Sequence, residues 1–189
     1  MTADPPLADR SAATPDDLVA YLDRLGIRTS THEHPAAFTV AESAPMKRAI
    51  PGAHSKNLFL KDRKGRLFLV VAKDDTAIDL RRLHVPLGAS GRLSFGSADL
   101  LRATLGVEPG SVTPFGILND RDGRVQVILD AALMAHERQN FHPLVNTRTT
   151  GIARDDLLRF LRATGHEPLI LRLPAPGRDL HGEDPAPTL

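Results

Sequence analysis

The sequence predicts a single α+β domain in which strands and helices follow one another without a regular repeat. Apolar runs on either side of short turns indicate hairpins, and amphipathic segments with cap residues indicate helices. Strand and helix do not alternate one by one, so a parallel βαβ fold is not favoured. The chain has 189 residues, 41% of them hydrophobic, which suits one domain with an ordinary core. Ends rich in Pro, Ala, Asp and Gly predict disordered tails at residues 1–13 and 174–189 around a domain over 14–173.

The first predicted elements are a helix, a strand and a second helix. Residues 14–17 supply a cap threonine, a proline at the first helical position and two acids in the first turn. Gly26 ends this helix, and residues 27–34 follow as a strand that stops before a proline. The Thr-Val-Ala-Glu pattern at residues 39–42 fits a capping box and predicts a short helix.

Two hairpins are predicted in the middle of the chain. The first joins residues 58–60 and 67–71 through an Asp-Arg-Lys-Gly turn, and the second joins residues 117–118 and 125–129 through a turn with Asn, Asp and Gly. The remaining predicted elements are a helix over 97–105 closed by Gly106, a strand over 144–150, a helix over 155–163 followed by Gly165, and a strand over 169–171.

Composition excludes several classes of protein. A net charge of +1 argues against a protein that coats duplex nucleic acid, although it permits contact with a few phosphates. Cysteine is absent, which excludes disulfides, thiolate nucleophiles and Cys-based zinc sites. The polar N-terminal residues do not resemble a secretory signal, and no apolar run is long enough to span a bilayer. We expect a soluble cytoplasmic protein with no membrane partner.

Lys56 directly precedes an apolar strand, so its backbone is held while its side chain can reach a cleft. A compact ammonium there could bind a phosphate. The alternative is a solvated lysine at a strand edge, since most lysines are exposed.

A Gly-x-x-x-Pro loop could stabilise the oxyanion that develops during ester hydrolysis. Its backbone N–H groups can approach a small substrate because glycine has no side chain. The alternative is a plain turn, which the preceding Pro-Gly pair would form in any case. The residues concerned are Gly110, Ser111, Val112, Thr113 and Pro114, with Phe115 behind them.

His142 lies between a phenylalanine and a proline, and two interpretations stay open: a wall of a pocket or a general base. Asn146 and Thr150 would project from the same face of the predicted strand and could bind substrate or only the sheet. His32 and His34 are two residues apart, but Glu33 would face the other way, so we predict no metal site. Nucleotide-binding glycine loops and a Gly-x-Ser-x-Gly elbow are absent, and no cofactor is expected.

Basic side chains cluster along the sequence near Lys56. They fit either ordinary surface charge or a patch that contacts nucleic-acid phosphates without reading bases. The candidate residues are Lys47, Arg48, Lys61, Arg63 and Lys64, with Arg66, Arg81 and Arg82 nearby.

Three segments, taken in order, resemble the YbaK/prolyl-tRNA editing superfamily. They are Lys-Asn-Leu-Phe-Leu at residues 56–60, the loop at 110–114, and Phe-His-Pro-Leu-Val-Asn at 141–146. Within it, the chain resembles the free-standing deacylases that hydrolyse alanine mischarged onto proline tRNA, from about Leu18 to Leu173. The resemblance implies that the basic residues near Lys56 contact the acceptor end of this tRNA. The resemblance implies a curved, mostly antiparallel, barrel-like sheet flanked by helices.

The resemblance also implies roles for the candidate residues. Lys56 would contact the terminal adenosine and its phosphate, and Gly110 would belong to the catalytic loop. Residues 111–115 and Asn146 would bind substrate, and His142 would shape the amino-acid pocket. Water would attack the ester, helped by the ribose hydroxyl of the substrate, with the acceptor end of mischarged tRNA(Pro) as partner and prolyl-tRNA synthetase as a further one. The alternatives are a deacylase for another amino acid, such as Cys-tRNA(Pro), and a non-catalytic relative that binds tRNA.

Overall fold

A computed structural model describes residues 11–36, 45 and 48–177. The predicted short helix at 39–42, Lys47 and most of both predicted tails lie outside this range. The helices are α1 (Pro15–Arg24), α2 (Ala98–Leu105), α3 (Ala131–Met134) and α4 (Arg154–Ala163), with a 3₁₀ helix over Pro114–Asn119. The strands are β1 (Thr29–Glu33), β2 (Ala53–Lys61), β3 (Leu67–Lys73), β4 (Ser94–Phe95), β5 (Val125–Asp130), β6 (Arg138–Phe141), β7 (Arg148–Ala153) and β8 (Leu169–Leu171). None of the described helices is long and apolar enough to cross a bilayer.

One curved, mixed sheet organises the domain, which confirms the predicted α+β class. Its order is β1-β7-β6-β2-β3-β5-β8, with β4 also paired to β2. The described strands form four antiparallel pairs and three parallel ones. The path of paired strands begins at β1 and ends at β8, so the sheet is open and does not close into a barrel.

Strand β2 is paired along one edge and interrupted along the other. On the first edge, residues Ser55 to Lys61 pair with β3. On the second edge, β6 pairs only with Ala53 and His54, and β4 only with Leu60 and Lys61. Between β6 and β4, this second edge has no strand partner among the described residues, which leaves an opening in the sheet.

Apolar side chains cover both faces of the sheet. On one face, α1, α2, α4 and the 3₁₀ helix pack over β3, β5 and β7 in the larger core. On the other face, the segment 78–93 covers Leu60, Phe68, Val70 and Ile128. Successive residues of β2 therefore project into two different environments, because side chains alternate along a strand.

The helix boundaries follow their cap residues, as predicted. Thr14 Oγ1 accepts a hydrogen bond from Asp17 N at 3.2 Å, and the Asp17 carboxylate accepts one from Thr14 N at 2.9 Å, a complete capping box. Ser97 caps α2 through Leu100 N at 3.2 Å, and Gly106 ends it with φ of 65°. The first predicted hairpin is confirmed as β2–β3.

The second predicted hairpin is wrong. Residues 117–118 belong to the 3₁₀ helix, which Pro114 begins and Thr113 caps. The turn that follows is closed by Asp120, whose carboxylate accepts hydrogen bonds from Arg124 N at 3.1 Å and Val125 N at 2.7 Å. Strand β5 then pairs in parallel with β3 and with β8. A turn sequence cannot reveal this, because parallel partners come from distant parts of the chain.

Asp62 joins the β2–β3 turn to the segment on the second face. Its Oδ1 accepts hydrogen bonds from Lys64 N and Arg66 N, and its Oδ2 accepts one from Ser90 N, all at 2.9 Å. The Ser90 N–H and the other donors hold the pKa of this carboxyl below its ordinary value, despite its burial. Asp62 is therefore an ionised anchor for the 88–92 backbone.

We predict that Asp62→Asn lowers the melting temperature, because an amide NH₂ would face a backbone donor and the charge would be lost. The folded pKa of Asp62 lies below the unfolded value of about 3.9. Its stabilisation is thus complete above that pH and is lost as pH falls through the folded pKa. Thermal melts from pH 7 to pH 2.5 should show the gap between wild type and variant closing in acid. Asp122→Asn, at an exposed turn position, is the control and should change the melting temperature little.

Candidate active site

The loop at residues 110–114 docks into the opening on the edge of β2. Asn57 Nδ2 donates a hydrogen bond to Val112 O at 2.9 Å. Its neighbour on the same face, Ser55, donates from Oγ to Asn140 O of β6 at 3.2 Å. These side-chain hydrogen bonds take the place of the strand that is missing from this edge. The loop is therefore held by a side chain of β2 and not by backbone pairing between strands.

The loop begins with a tight turn. Ser111 N donates to Glu108 O at 2.9 Å, with Pro109 and Gly110 as the central residues. Gly110 has φ of 89°, the left-handed value that the third residue of a type II turn requires. Gly110 is exposed, whereas Ser111 and Thr113 are buried. The turn therefore presents the Gly110 backbone to solvent at the rim of the opening.

Several N–H groups of the loop are not used by the fold. The N–H of Phe115 donates to Thr113 Oγ1 at 3.3 Å, and that of Gly116 donates to Thr113 O at 3.1 Å, so both belong to the 3₁₀ helix. By contrast, the N–H groups of Gly110, Val112 and Thr113 donate to no partner within the part of the chain that the structure describes. Backbone donors of this kind can stabilise a developing oxyanion.

Phe115 supports the loop from behind. Its ring is fully buried and packs edge-on against Phe141 at 5.8 Å and Phe160 at 5.5 Å between centroids. Phe115 therefore belongs to the core and presents no surface to a ligand. Pro114 is also buried at the start of the 3₁₀ helix, where its fixed φ stiffens the junction between loop and core.

Lys56 lies on the other face of β2. It pairs with Ala72 and alternates with Asn57, so its side chain projects towards the face that carries Leu58 and Leu60. Its Nζ donates to Thr76 O, and Thr76 Oγ1 in turn donates to the Asp130 carboxylate at 2.6 Å. The structure thus brings Lys56 to the opening but not to the loop.

His142 follows β6 in a strained turn. Because a carbonyl only accepts, His142 Nδ1 carries the proton in its 3.1 Å hydrogen bond to Arg148 O. Leu144 has φ of 68°, the only non-glycine in the described part of the chain with positive φ, and is 6% exposed. Such a conformation costs about 1–3 kcal/mol and occurs most often at functional sites. This strain marks the His142 turn as a candidate part of the site.

The predicted strand over 144–150 is displaced. Strand β7 begins at Arg148, and Asn146 lies in the preceding turn, half-buried. The expected alignment of Asn146 with Thr150 on one strand face is therefore wrong. Thr150 is buried and its hydroxyl is 2.8 Å from that of Thr31 on β1, so it stabilises the sheet.

Two buried side-chain carbonyl oxygens near the opening lack protein partners among the described residues. Asn57 Oδ1 adjoins the loop, and Asn140 Oδ1 belongs to a side chain that is 2% exposed. Asn140 is enclosed by glycines, since a Cβ at Gly151 would lie 3.0 Å from its Oδ1. Sequence reasoning missed Ser55, Asn57 and Asn140. The available signal was a pair of polar residues, two apart, at the start of an otherwise apolar strand.

The two histidines considered as metal ligands lie near the end of β1 and directly after it. His32 is exposed on β1. His34 follows the strand, where its Nδ1 donates to Pro35 O at 2.8 Å and its Nε2 lies 2.9 Å from Thr149 Oγ1. Within residues 11–36, 45 and 48–177, no three His, Cys, Asp or Glu side chains are grouped as metal ligands.

The predicted tRNA-contacting residues divide between two places. Arg48 is exposed next to the residues that precede β2, and Lys47 is not described. Lys61 ends β2, and Arg63 and Lys64 are exposed in the turn that follows. The last three therefore lie at the far end of the strand from the loop.

The chain is similar to known proteins over most of its length. Residues 34–160 match the family model for the aminoacyl-tRNA editing domain. The prolyl-tRNA synthetase associated domain-containing protein 1 of Mus musculus is 42% identical over 159 residues, which cover 82% of this chain and 94% of that protein. The prolyl-tRNA editing protein ProX of Acetoanaerobium sticklandii is 37% identical over 150 residues, covering 79% and 91%.

A solved structure confirms the likeness of fold. It is described as a candidate trans-editing enzyme for prolyl tRNA synthetase and superposes with a TM-score of 0.65 at 20% identity, covering 86% of this chain and 98% of that one. The resemblance inferred from three short segments is thus confirmed over most of the described domain. The chain belongs to the aminoacyl-tRNA editing domain family, and the predicted enzyme class, an aminoacyl-tRNA deacylase, is confirmed at the level of that family.

Proposed function

We propose that this protein hydrolyses the aminoacyl ester of mischarged tRNA(Pro) in trans and that alanine is the amino acid it removes. The names of its relatives support proline tRNA as the substrate. Alanine is smaller than proline, so a synthetase pocket rejects it weakly, at about 1–3 kcal/mol per missing methylene. A second site that admits small side chains and excludes the proline ring corrects this error. Prolyl-tRNA synthetase is the proposed partner that supplies the substrate.

The loop at 110–114 carries this proposal. Its unused N–H groups at Gly110, Val112 and Thr113 are candidate donors to the ester oxygen as it becomes negative. Asn57 holds the loop in place through Val112 O. Donors that are already oriented need no reorganisation during the reaction, which is the source of their catalytic effect.

Water is the proposed nucleophile. It adds to the ester carbonyl, the bond from that carbon to the ribose oxygen then breaks, and the ribose oxygen takes up a proton. The products are free alanine and uncharged tRNA. The family resemblance implies that a ribose hydroxyl of the substrate orients this water. Ser55 is an unsuitable nucleophile because its hydroxyl donates to Asn140 O and its nearest polar neighbour is an amide, not a base.

The α-ammonium group of the substrate requires acceptors. Asn57 Oδ1 is a buried oxygen without a protein partner beside the loop, which suits a cationic donor. His142, fixed by Arg148 O, would form a wall of the amino-acid pocket rather than remove a proton. Lys56 would contact the terminal phosphate from the other side of the strand edge, after releasing Thr76 O.

The decisive experiment is a deacylation panel with Ala-, Cys-, Ser- and Pro-tRNA(Pro), run with and without EDTA. We expect rapid loss of alanine, sparing of proline and no effect of the chelator, because the described histidines and carboxylates offer no ligand set. Faster turnover of Cys-tRNA(Pro) would mean that cysteine, and not alanine, is the amino acid that the protein removes. Hydrolysis of none would favour a non-catalytic tRNA-binding protein, and rescue of a chelated enzyme by Zn²⁺ would overturn the metal-free mechanism.

Lys56→Ala should reduce kcat/KM for Ala-tRNA(Pro) about 10- to 150-fold, equivalent to the 1.5–3 kcal/mol of a charge-assisted hydrogen bond. The melting temperature should change little, because the side chain is half-buried and its present partner is a carbonyl. Lys73→Ala is a matched control, since Lys73 pairs with Asp75 at the adjacent strand end. Full activity of Lys56→Ala would remove this residue from the site.

Gly110→Ala should slow deacylation about 10²- to 10³-fold, the usual effect of losing one oxyanion donor. It should also destabilise the fold by about 1 kcal/mol, or roughly 2–4 °C, because alanine is strained at positive φ. Gly123→Ala isolates the strain, since Gly123 has φ of 62° and space around a Cβ. If both variants melt equally early and both deacylate normally, the loop is only scaffold.

A further inference from the structure

A strongly basic hollow lies on the second face of the sheet, away from the loop. Four arginines and a histidine line an open hollow of about 850 Å³, and none of the described residues that line it is acidic. The arginines are Arg63, Arg81, Arg82 and Arg92, and the histidine is His84. We call this the arginine hollow. Its members come from three separate parts of the sequence, so folding creates the concentration of charge.

The fold holds Arg63 in position. A Cβ on Gly91 would lie 2.5 Å from Arg63 Cδ, so the arginine stem rests directly on the glycine backbone. Arg63 N also donates to Ser90 O at 3.2 Å, while Ser90 N donates to the Asp62 carboxylate. This arrangement orders the side chain before any ligand arrives, which lowers the entropic cost of binding.

Two acids near the hollow, Asp62 and Asp79, accept hydrogen bonds from the backbone. The Asp62 carboxylate is 5% exposed and accepts three backbone hydrogen bonds. Asp79 Oδ1 accepts from Arg81 N at 3.0 Å. Neither carboxylate lines the hollow, so its walls present positive charge to an approaching ligand.

One further feature favours nucleic acid over a simple anion. Next to the hollow, Phe95 of β4 is 59% exposed, a large apolar ring available for stacking. Cationic grooves with adjacent aromatic rings bind single-stranded nucleic acid, because phosphates take the charge and bases take the ring.

We propose that the arginine hollow binds the phosphate backbone of the RNA substrate upstream of its aminoacylated nucleotide. The assignment rests on the proposed function and extends it from the 3′ end to the rest of the strand. Phe95 pairs with Leu60, and Lys56 projects from the same face, so Lys56, Phe95 and the arginines follow one path. From Lys56 to Leu60, the partner of Phe95, this path covers about 13 Å at 3.3 Å per residue, a distance of a few nucleotides.

The test is the binding of uncharged tRNA(Pro), which needs no catalysis. The variant is Arg81→Ala/Arg92→Ala, two exposed positions, and the control is Arg159→Ala/Arg162→Ala, which removes the same charge from the exposed side of α4. The hollow variant should bind at least about tenfold more weakly at 0.1 M salt. The slope of log K against log salt should fall by about 1.4, since each phosphate contact to a single strand contributes roughly 0.7. Arg81→Lys/Arg92→Lys should keep most of that slope.

Equal binding by the hollow variant and the α4 control would overturn the proposal. So would an unchanged affinity for tRNA with a lost affinity for prolyl-tRNA synthetase, which would make the hollow a protein interface. Melting temperatures confirm that each variant is folded. If the wild type fails to deacylate any substrate, the proposed function is wrong. The binding measurement still shows whether the arginine hollow binds RNA.

Discussion

The interrupted edge of β2 is the constraint on which the site depends. A strand edge presents backbone groups that require partners, and β6 and β4 satisfy only its two ends. Between these two ends, the Asn57 side chain donates to Val112 O of the loop, and the Ser55 hydroxyl donates to Asn140 O of β6. The same opening that would weaken a sheet thus gives the loop a fixed position, with the Gly110 backbone exposed at its rim.

The two faces of β2 carry different candidate functional groups. Asn57 and the loop lie over the larger core, which Phe115, Phe141 and Phe160 stiffen through edge-on ring contacts. Lys56 faces the layer formed by residues 78–93, where folding also gathers the arginine hollow. Ester chemistry and RNA binding can therefore be placed on opposite faces and meet at one strand edge.

Stability is given up at two places near the site. Leu144 adopts positive φ in the turn after His142, and Gly110 adopts it at the rim of the loop. Glycine tolerates this conformation, but leucine does so only because packing holds it, with its side chain buried in the larger core. Local sequence alone would not choose the Leu144 conformation. Its persistence is explained by a turn that must place His142 against Arg148 O.

The sequence by itself determined the elements whose signals are local. The capping box at Thr14, the Gly106 stop of α2 and the β2–β3 hairpin all follow from neighbouring residues. It also determined the family, because the spacing and order of three short segments can be recognised without knowing which residues they contact.

Only the tertiary structure decided the features that depend on distant partners. Residues 117–118 became 3₁₀ helix and β5 a parallel strand, since β3 and β8 offered better pairing than a hairpin. It also decided that the 110–114 loop lies on the face of Asn57 and not on that of Lys56, which the alternation of side chains along β2 cannot settle. The arginine hollow, and the role of Asn57 in seating the loop, arise from residues tens of positions apart. Burial, register and charge proximity are properties of the packed chain, and a local pattern carries no record of them.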